Sequence, residues 1–299
     1  MTESRRFTIA LIQMSTSDDL EKNLHHAVEL VADAAQRGAR VICLPELFRS
    51  PYLCQQEDPA RFDLAEPIPG PSTEAMGEAA RAHGIYIITP IFEYRAPGVY
   101  HNSAVLIGPE GSVAGHYRKM HIPDDPAYYE KYYFTPGDLG FRAFATPYGR
   151  VGVLVCWDQW YPEAARLTSL AGASILFYPT AIGWHPHEKA LHGVAQLDAW
   201  RTIQRSHAIA NGVYVAAVNR VGLEKPLESA AGIEFWGSSF LCDPFGVLLA
   251  SAADDREEIL LGEIDLRRLE EIRRHWPFLR DRRIDAYGAI TERYIDHAE

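Results

Sequence analysis

The apolar positions of this chain follow two rhythms. Short unbroken apolar runs occur in RFTIALIQ near residues 6–13 and in ARVICLPEL from residue 39. Between them Leu20, Leu24, Val28, Val31 and Ala35 recur at the three-to-four-residue spacing of one helical stripe. The pattern predicts strand, helix, strand. Gly38 stops the helix, and Pro45, which cannot donate to a ladder, turns the second strand's end outward.

After the proline-rich link PIPGPS, a helix is expected over about 73–83, then strands at GIYIITPIFE, YHNSAVLIGP and GSVAGHYRKM. The glycine turn PEG separates the last two as in a hairpin. A further strand-helix-strand unit reads VGVLVC, YPEAARLTSLAG and ASILFYPT. A long helix over about 187–210 leads to strands at VYVAAVNRVG, SSFLCDP, GVLLASA and EEILLGEI, with a last helix starting near Asp265. Alternation of strand and helix combined with hairpin-like pairs at 85–118 and 238–264 predicts mixed sheets in a layered α/β sandwich. With no internal repeat, the 299 residues read as one domain, 1–299.

Composition narrows the partners. A content of 47% hydrophobic and 23% charged residues suits one large core. Against 29 Lys plus Arg stand 40 Asp plus Glu, and the resulting net charge of −11 repels a phosphate backbone. Nucleic acid is therefore not expected, and a neutral or cationic small molecule fits better. No run approaches the roughly 18 apolar residues of a membrane span, and MTESRRFTIALIQMS lacks a signal-peptide core, so a cytoplasmic location is expected.

Four cysteines, Cys43, Cys54, Cys156 and Cys242, are too dispersed for a disulfide framework or a zinc ribbon. Cys156 closes the run VGVLV just before WDQWYPEAARL, where a strand gives way to a helix. A thiol there is exposed at the sheet's carboxyl edge, near N–H groups able to polarise a carbonyl. Its plain reading is a small buried apolar residue. Glu46 and Lys119 also stand at strand ends. Either could be an ordinary exposed residue, yet the three could converge as base, oxyanion stabiliser and nucleophile.

Here the motifs become specific. LPELF around Glu46, YRKMHIP around Lys119 and GVLVCWDQWYPEAAR around Cys156 resemble the three signature segments of the nitrilase superfamily, 73 and 37 residues apart. The resemblance implies an α/β fold of four layers, an αββα sandwich, joined into homodimers or larger homo-oligomers. It also implies Glu46 as general base, Lys119 as stabiliser of the tetrahedral intermediate and Cys156 as covalent nucleophile, with no metal and no organic cofactor. Glu130, in YYEKYYFTPGD, stands where the family often has a further carboxylate that orients the lysine; as a bare sequence feature it is an exposed glutamate.

Within the superfamily, HIPDDPAYYEKYYFTPGD, CWDQWYPEAARL and FYPTAIGW most resemble the branch that hydrolyses N-carbamoylputrescine to putrescine, carbon dioxide and ammonia. The stretch Trp157, Asp158, Gln159, Trp160 offers no cation for a substrate carboxylate, which argues against carbamoyl amino acids. Candidate substrate contacts are Tyr52, Asp124, Trp157, Asp158 and Trp184. The plain alternatives are a turn at Asp124 and Asp125 between prolines, and a helix cap at Asp158. His185, His187 and His192 lack the HExxH spacing of a zinc site. Two other functions stay open: an amidase of ω-amides or simple aliphatic amides, and an idle interaction protein on the same fold. The segment from about 281 to 299 is expected to pack on a neighbouring subunit.

Overall fold

The computed structural model describes residues 6–226 and 231–295. Its first half runs β1 (Arg6–Gln13), α1 (Leu20–Gln36), β2 (Ala39–Cys43), α2 (Pro71–His83), β3 (Tyr86–Ala96), β4 (Val99–Ile107), β5 (Val113–Arg118) and the single turn α3 (Glu130–Tyr133). The second half runs β6 (Ala143–Thr146), β7 (Gly149–Val153), α4 (Pro162–Leu170), β8 (Ile175–Pro179), β9 (Gly183–Trp184) and α5 (Lys189–Asn211). It continues with β10 (Tyr214–Val218), β11 (Val221–Glu224), β12 (Ile233–Trp236), β13 (Phe240–Cys242), β14 (Leu248–Ser251), β15 (Glu258–Asp265) and α6 (Leu266–His275).

Two six-stranded mixed sheets form, in the orders β15-β1-β2-β3-β4-β5 and β14-β13-β10-β8-β7-β6. Each has three central parallel strands: β1, β2 and β3 in one, and β7, β8 and β10 in the other. Antiparallel strands flank both. Side chains alternate across a strand, so Ile9 and Leu11 enter the core between the sheets while Ala10 and Ile12 enter the core under the helices. In the inter-sheet core Val41 and Leu106 of the first sheet join Val153, Phe177 and Ala216 of the second. The outer core packs Ala27 and Val31 of α1 and Met76 and Ala80 of α2 on the first sheet. Trp200 and Ala208 of α5 and Ala164 of α4 cover the second. The result is the four-layer αββα sandwich.

The helix α1 starts where Asp19 caps the N–H groups of Glu21 and Lys22, and the chain leaves it through Gly38 at φ 96°. Two departures from the sequence reading matter for the site. VYVAAVNRVG breaks into β10 and β11, and β11 pairs with β12 and then β9 in a third, three-stranded sheet beside the second. The Cys156 segment forms a short 3-10 turn, Cys156–Trp160, before α4 begins at Pro162, because proline starts a helix readily but cannot continue one. The tail after α6 contains only short 3-10 turns, Ile284–Ala286 and Gly288–Thr291, and its last residues, 296–299, lie outside the described ones. Among the described residues no helix is long and apolar enough to cross a membrane.

Candidate active site

Strand direction brings the site together. β4 is antiparallel to β3 and β5 is antiparallel to β4, so β5 runs with β2 and ends at the same edge of the sheet. Glu46 follows β2 by three residues, and Lys119 directly follows β5. Cys156 follows β7 in the facing sheet, and Glu130 opens α3. Glu46, Lys119 and Cys156 meet beyond the carboxyl ends of their strands with Glu130 beside them, and all four are buried.

Lys119 lies between two carboxylates. Its Nζ donates to Glu46 Oε1 at 2.8 Å and to Glu130 Oε2 at 2.6 Å. Asn102 of β4 donates from Nδ2 to the same Glu46 Oε1 at 2.7 Å, and its carbonyl accepts the Lys119 N–H at 2.8 Å. Among the described residues nothing hydrogen-bonds Glu46 Oε2, which is buried. A carboxylate with one oxygen anchored and one free is equipped to accept a proton.

The electrostatics follow from burial and from these neighbours. Burial alone would lower the Lys119 pKa, but the charges of Glu130, Glu46 and Cys156 outweigh it and hold the ammonium well above the usual lysine value. Burial and the charge of Glu46 raise Glu130 to about 7, against the pull of Lys119 and the hydrogen bond from Tyr52. Burial and the same Glu46 charge push the Cys156 thiol well up, against Lys119. The resting thiol is thus protonated and needs a base. Its sulfur lies 3.8 Å from the Ala181 carbonyl oxygen, which accepts its hydrogen bond.

Cys156 has φ 43°, in the left-handed region that a side chain with a Cβ seldom adopts. Such strain persists only where the surroundings impose it. Here they do, through Asp158. Its buried Oδ2 accepts the Val155 N–H at 3.0 Å and the Tyr117 hydroxyl at 2.7 Å, while Oδ1 accepts from the His121 N–H at 3.1 Å and lies 2.7 Å from His121 Nδ1. The other three cysteines are also buried free thiols. Of them Cys54 lies near the same charges, and Cys43 sits in the inter-sheet core.

Above Cys156 opens a cavity of about 730 Å³. Its walls include Trp157, Trp160, Trp236, Tyr128 and His185. The carboxylates in its lining are Asp125, Glu130 and Glu188, and among the described residues no Lys or Arg belongs to that lining.

Of the sequence-derived substrate contacts, Trp157 lines the cavity and four others stand elsewhere. Tyr52 is buried with its hydroxyl donating to Glu130 Oε1 at 2.7 Å, so it serves the carboxylate and not the cavity wall. Asp124 is exposed and outside the lining; the turn closed by the Tyr128 N–H on the Asp125 carbonyl presents Asp125 instead. Asp158 has its carboxylate consumed by the turn at Cys156. Trp184 donates from Nε1 to the Gly193 carbonyl at 3.1 Å and packs 5.3 Å from Trp236, making it a support for the ring that does reach the cavity. Sequence reasoning missed Asn102 and Trp236, while Trp160 belongs to the stretch it read as facing the substrate. The polar HNS inside the strand YHNSAVLI was the available signal for Asn102.

The family comparison agrees with this geometry. A model of the carbon-nitrogen hydrolase family matches residues 8–274. The chain belongs to that family. As a carbon-nitrogen hydrolase it is an enzyme acting on amide-type bonds, in keeping with the nitrilase resemblance of its three motifs. It is 43% identical to the N-carbamoylputrescine amidase of Solanum lycopersicum over 292 residues, 96% of each protein. It is 39% identical to a citrullinase of Francisella tularensis over 287 residues, 96% of this chain and 98% of that one. A carbon-nitrogen hydrolase from Helicobacter pylori G27 superposes with a TM-score of 0.94 at 48% identity, covering 97% of this chain and all of the other.

Proposed function

We propose that this hydrolase converts N-carbamoylputrescine and water to putrescine, carbon dioxide and ammonia, with Glu46, Lys119, Cys156 and Glu130 as its reacting set. The observation that carries the substrate reading is the cavity above Cys156, walled by aromatic rings and carboxylates without a Lys or Arg in its lining. A substrate with a cationic end is favoured there by charge and by ring faces, each contact being worth on the order of 1 kcal/mol. A carboxylate end would meet like charge. An ω-amide of a dicarboxylate has that disadvantage. The similarity to an amidase of N-carbamoylputrescine supports the same reading.

The steps follow from the geometry. Glu46 takes the Cys156 proton through its free Oε2, and the thiolate attacks the urea carbon. The oxyanion of the tetrahedral intermediate is stabilised by the Lys119 ammonium, already fixed by two carboxylates and so needing no reorganisation. The protonated Glu46 gives its proton to one urea nitrogen as its C–N bond breaks, leaving on Cys156 a thiocarbamate that keeps the other nitrogen. Water activated by Glu46 hydrolyses it. The carbamic acid released loses carbon dioxide, so the two urea nitrogens leave as ammonia and as putrescine's amine. Product analysis tests the reading: one putrescine and one ammonia per N-carbamoylputrescine consumed supports it, and no putrescine from the wild-type enzyme contradicts it.

Assembly belongs to the same proposal. Ile284, Ile290, Tyr294 and Ile295 of the tail are exposed in the single chain, and such a group is costly to leave in water. A second copy covering them makes the enzyme at least a homodimer, and a fully active monomer at micromolar concentration would contradict this.

A further inference from the structure

Arg220 occupies the short link between β10 and β11 and is fully buried. A buried guanidinium is tolerated only where its donors are paired. Here they converge on one loop. Nε donates to the Glu46 carbonyl at 3.1 Å, and Nη2 donates to the carbonyls of Leu47 and, at 2.7 Å, Ser50. Nη1 donates to Thr16 Oγ1 at 3.1 Å and to Glu224 Oε1 at 2.6 Å. The first three acceptors belong to the segment that leaves β2 and carries Glu46. That segment has Leu47 at φ 51°, a left-handed turn that a branched side chain rarely adopts without being held.

The partner of Arg220 reaches the other carboxylate. Glu224 Oε2 accepts the Tyr52 N–H at 2.6 Å, and the Tyr52 hydroxyl donates to Glu130 Oε1 at 2.7 Å. Glu46 and Glu130 come from separate segments, and one buried ion pair is tied to both: to Glu46 through its backbone, and to Glu130 through Tyr52. We infer that Arg220 and Glu224 are positioning residues that fix the two carboxylates on either side of Lys119. The inference concerns the catalytic geometry and holds for whichever carbamoyl or amide substrate the cavity takes.

A pair that only stabilised the fold would change the amount of folded enzyme and leave the titration of the folded enzyme alone. Glu130 faces Lys119, Glu46 and Tyr52, with Cys54, Tyr128 and Cys156 also near enough for their charges to couple to it. The Tyr52 hydrogen bond favours its ionised form, so slackening that bond makes Glu130 harder to ionise. Glu224→Gln keeps an acceptor for the Tyr52 N–H and removes the anion that orients the guanidinium. Per folded molecule, measured by circular dichroism, kcat is expected to fall about 10²-fold, the scale of a small misplacement of reacting groups, with KM changed less than about threefold. The acidic limb of the kcat profile is expected to move up by about one pH unit. Tyr52→Phe cuts the relay at its last bond without touching the ion pair, and is expected to move the limb in the same direction. An unmoved limb in Tyr52→Phe, or in folded Glu224→Gln whatever its melting temperature, overturns the proposal.

Discussion

Lys119 donates to Glu130 at 2.6 Å inside a site that excludes water from both groups. One ammonium is therefore shared between Glu130 and Glu46. With Glu130 held near 7 by burial and by the Glu46 charge, against the pull of Lys119, kcat is expected to rise with pH through a limb close to that value. Glu130→Gln removes a negative charge beside Glu46. The limb near 7 should then be lost from the profile while the plateau drops about 10²-fold through loss of Lys119 orientation. A profile of kcat between about pH 5 and pH 9 for both proteins reads this directly, and superimposable limbs would contradict the assignment.

Cys156 and Cys54 are both buried thiols near the same carboxylates, yet only Cys156 lines the cavity. Cys156→Ala is expected to lose at least about 10³-fold in kcat, and Cys54→Ala to stay within about tenfold of wild type. Quenched intact-protein and peptide mass spectrometry should find the covalent intermediate on the peptide containing residue 156. An adduct on the peptide with Cys54 would reverse the assignment.

A second ionic cluster holds the end of β5. Arg118, the residue before Lys119, donates to Glu93 at 2.8 Å and 2.6 Å, and Ser103 donates to the same carboxylate at 2.5 Å. Burial raises the Glu93 pKa, but the hydrogen bonds from Arg118, His116 and Ser103 outweigh it and hold the group far below the usual carboxylate range. A depressed carboxylate contributes stability that is complete above the unfolded value of about 4.3 and is lost as pH falls below it. Glu93→Gln leaves Arg118 without its buried partner and should cost about 3 kcal/mol near neutral pH. Urea denaturation at pH 7, 5 and 3 should show the gap between wild type and variant narrowing toward acid; a constant gap would mean Glu93 is not the acid-labile group.

The sequence made the three motif residues legible because each closes an apolar strand and then breaks the pattern with an ionisable side chain, at 46, 119 and 156. The layers were equally readable from alternation, as Ile9 and Ala10 show by entering different cores. Side-chain direction was not readable. Asp158 and Asp124 read either as substrate contacts or as a cap and a turn, and only the structure separates these: Asp158 caps the turn at Cys156, and Asp124 is exposed beside the turn that presents Asp125. Arg220 lay inside the run VYVAAVNRVG, where a charge in a buried strand was itself a sign that the strand breaks and the charge is paired. Its partners at 46, 47 and 50 are some 170 residues away, a separation that local pattern cannot bridge.

Cys156 is proposed to cleave a carbamoyl group whose far end is a cation. The most direct measurement is kcat/KM for ammonia release from N-carbamoylputrescine and from 3-ureidopropionate under identical conditions. The carboxylates Asp125, Glu130 and Glu188 in the cavity lining predict that the cationic substrate is preferred by at least about 10²-fold, the factor that roughly 3 kcal/mol of charge discrimination supplies. Equal turnover, or faster turnover of 3-ureidopropionate, would contradict it.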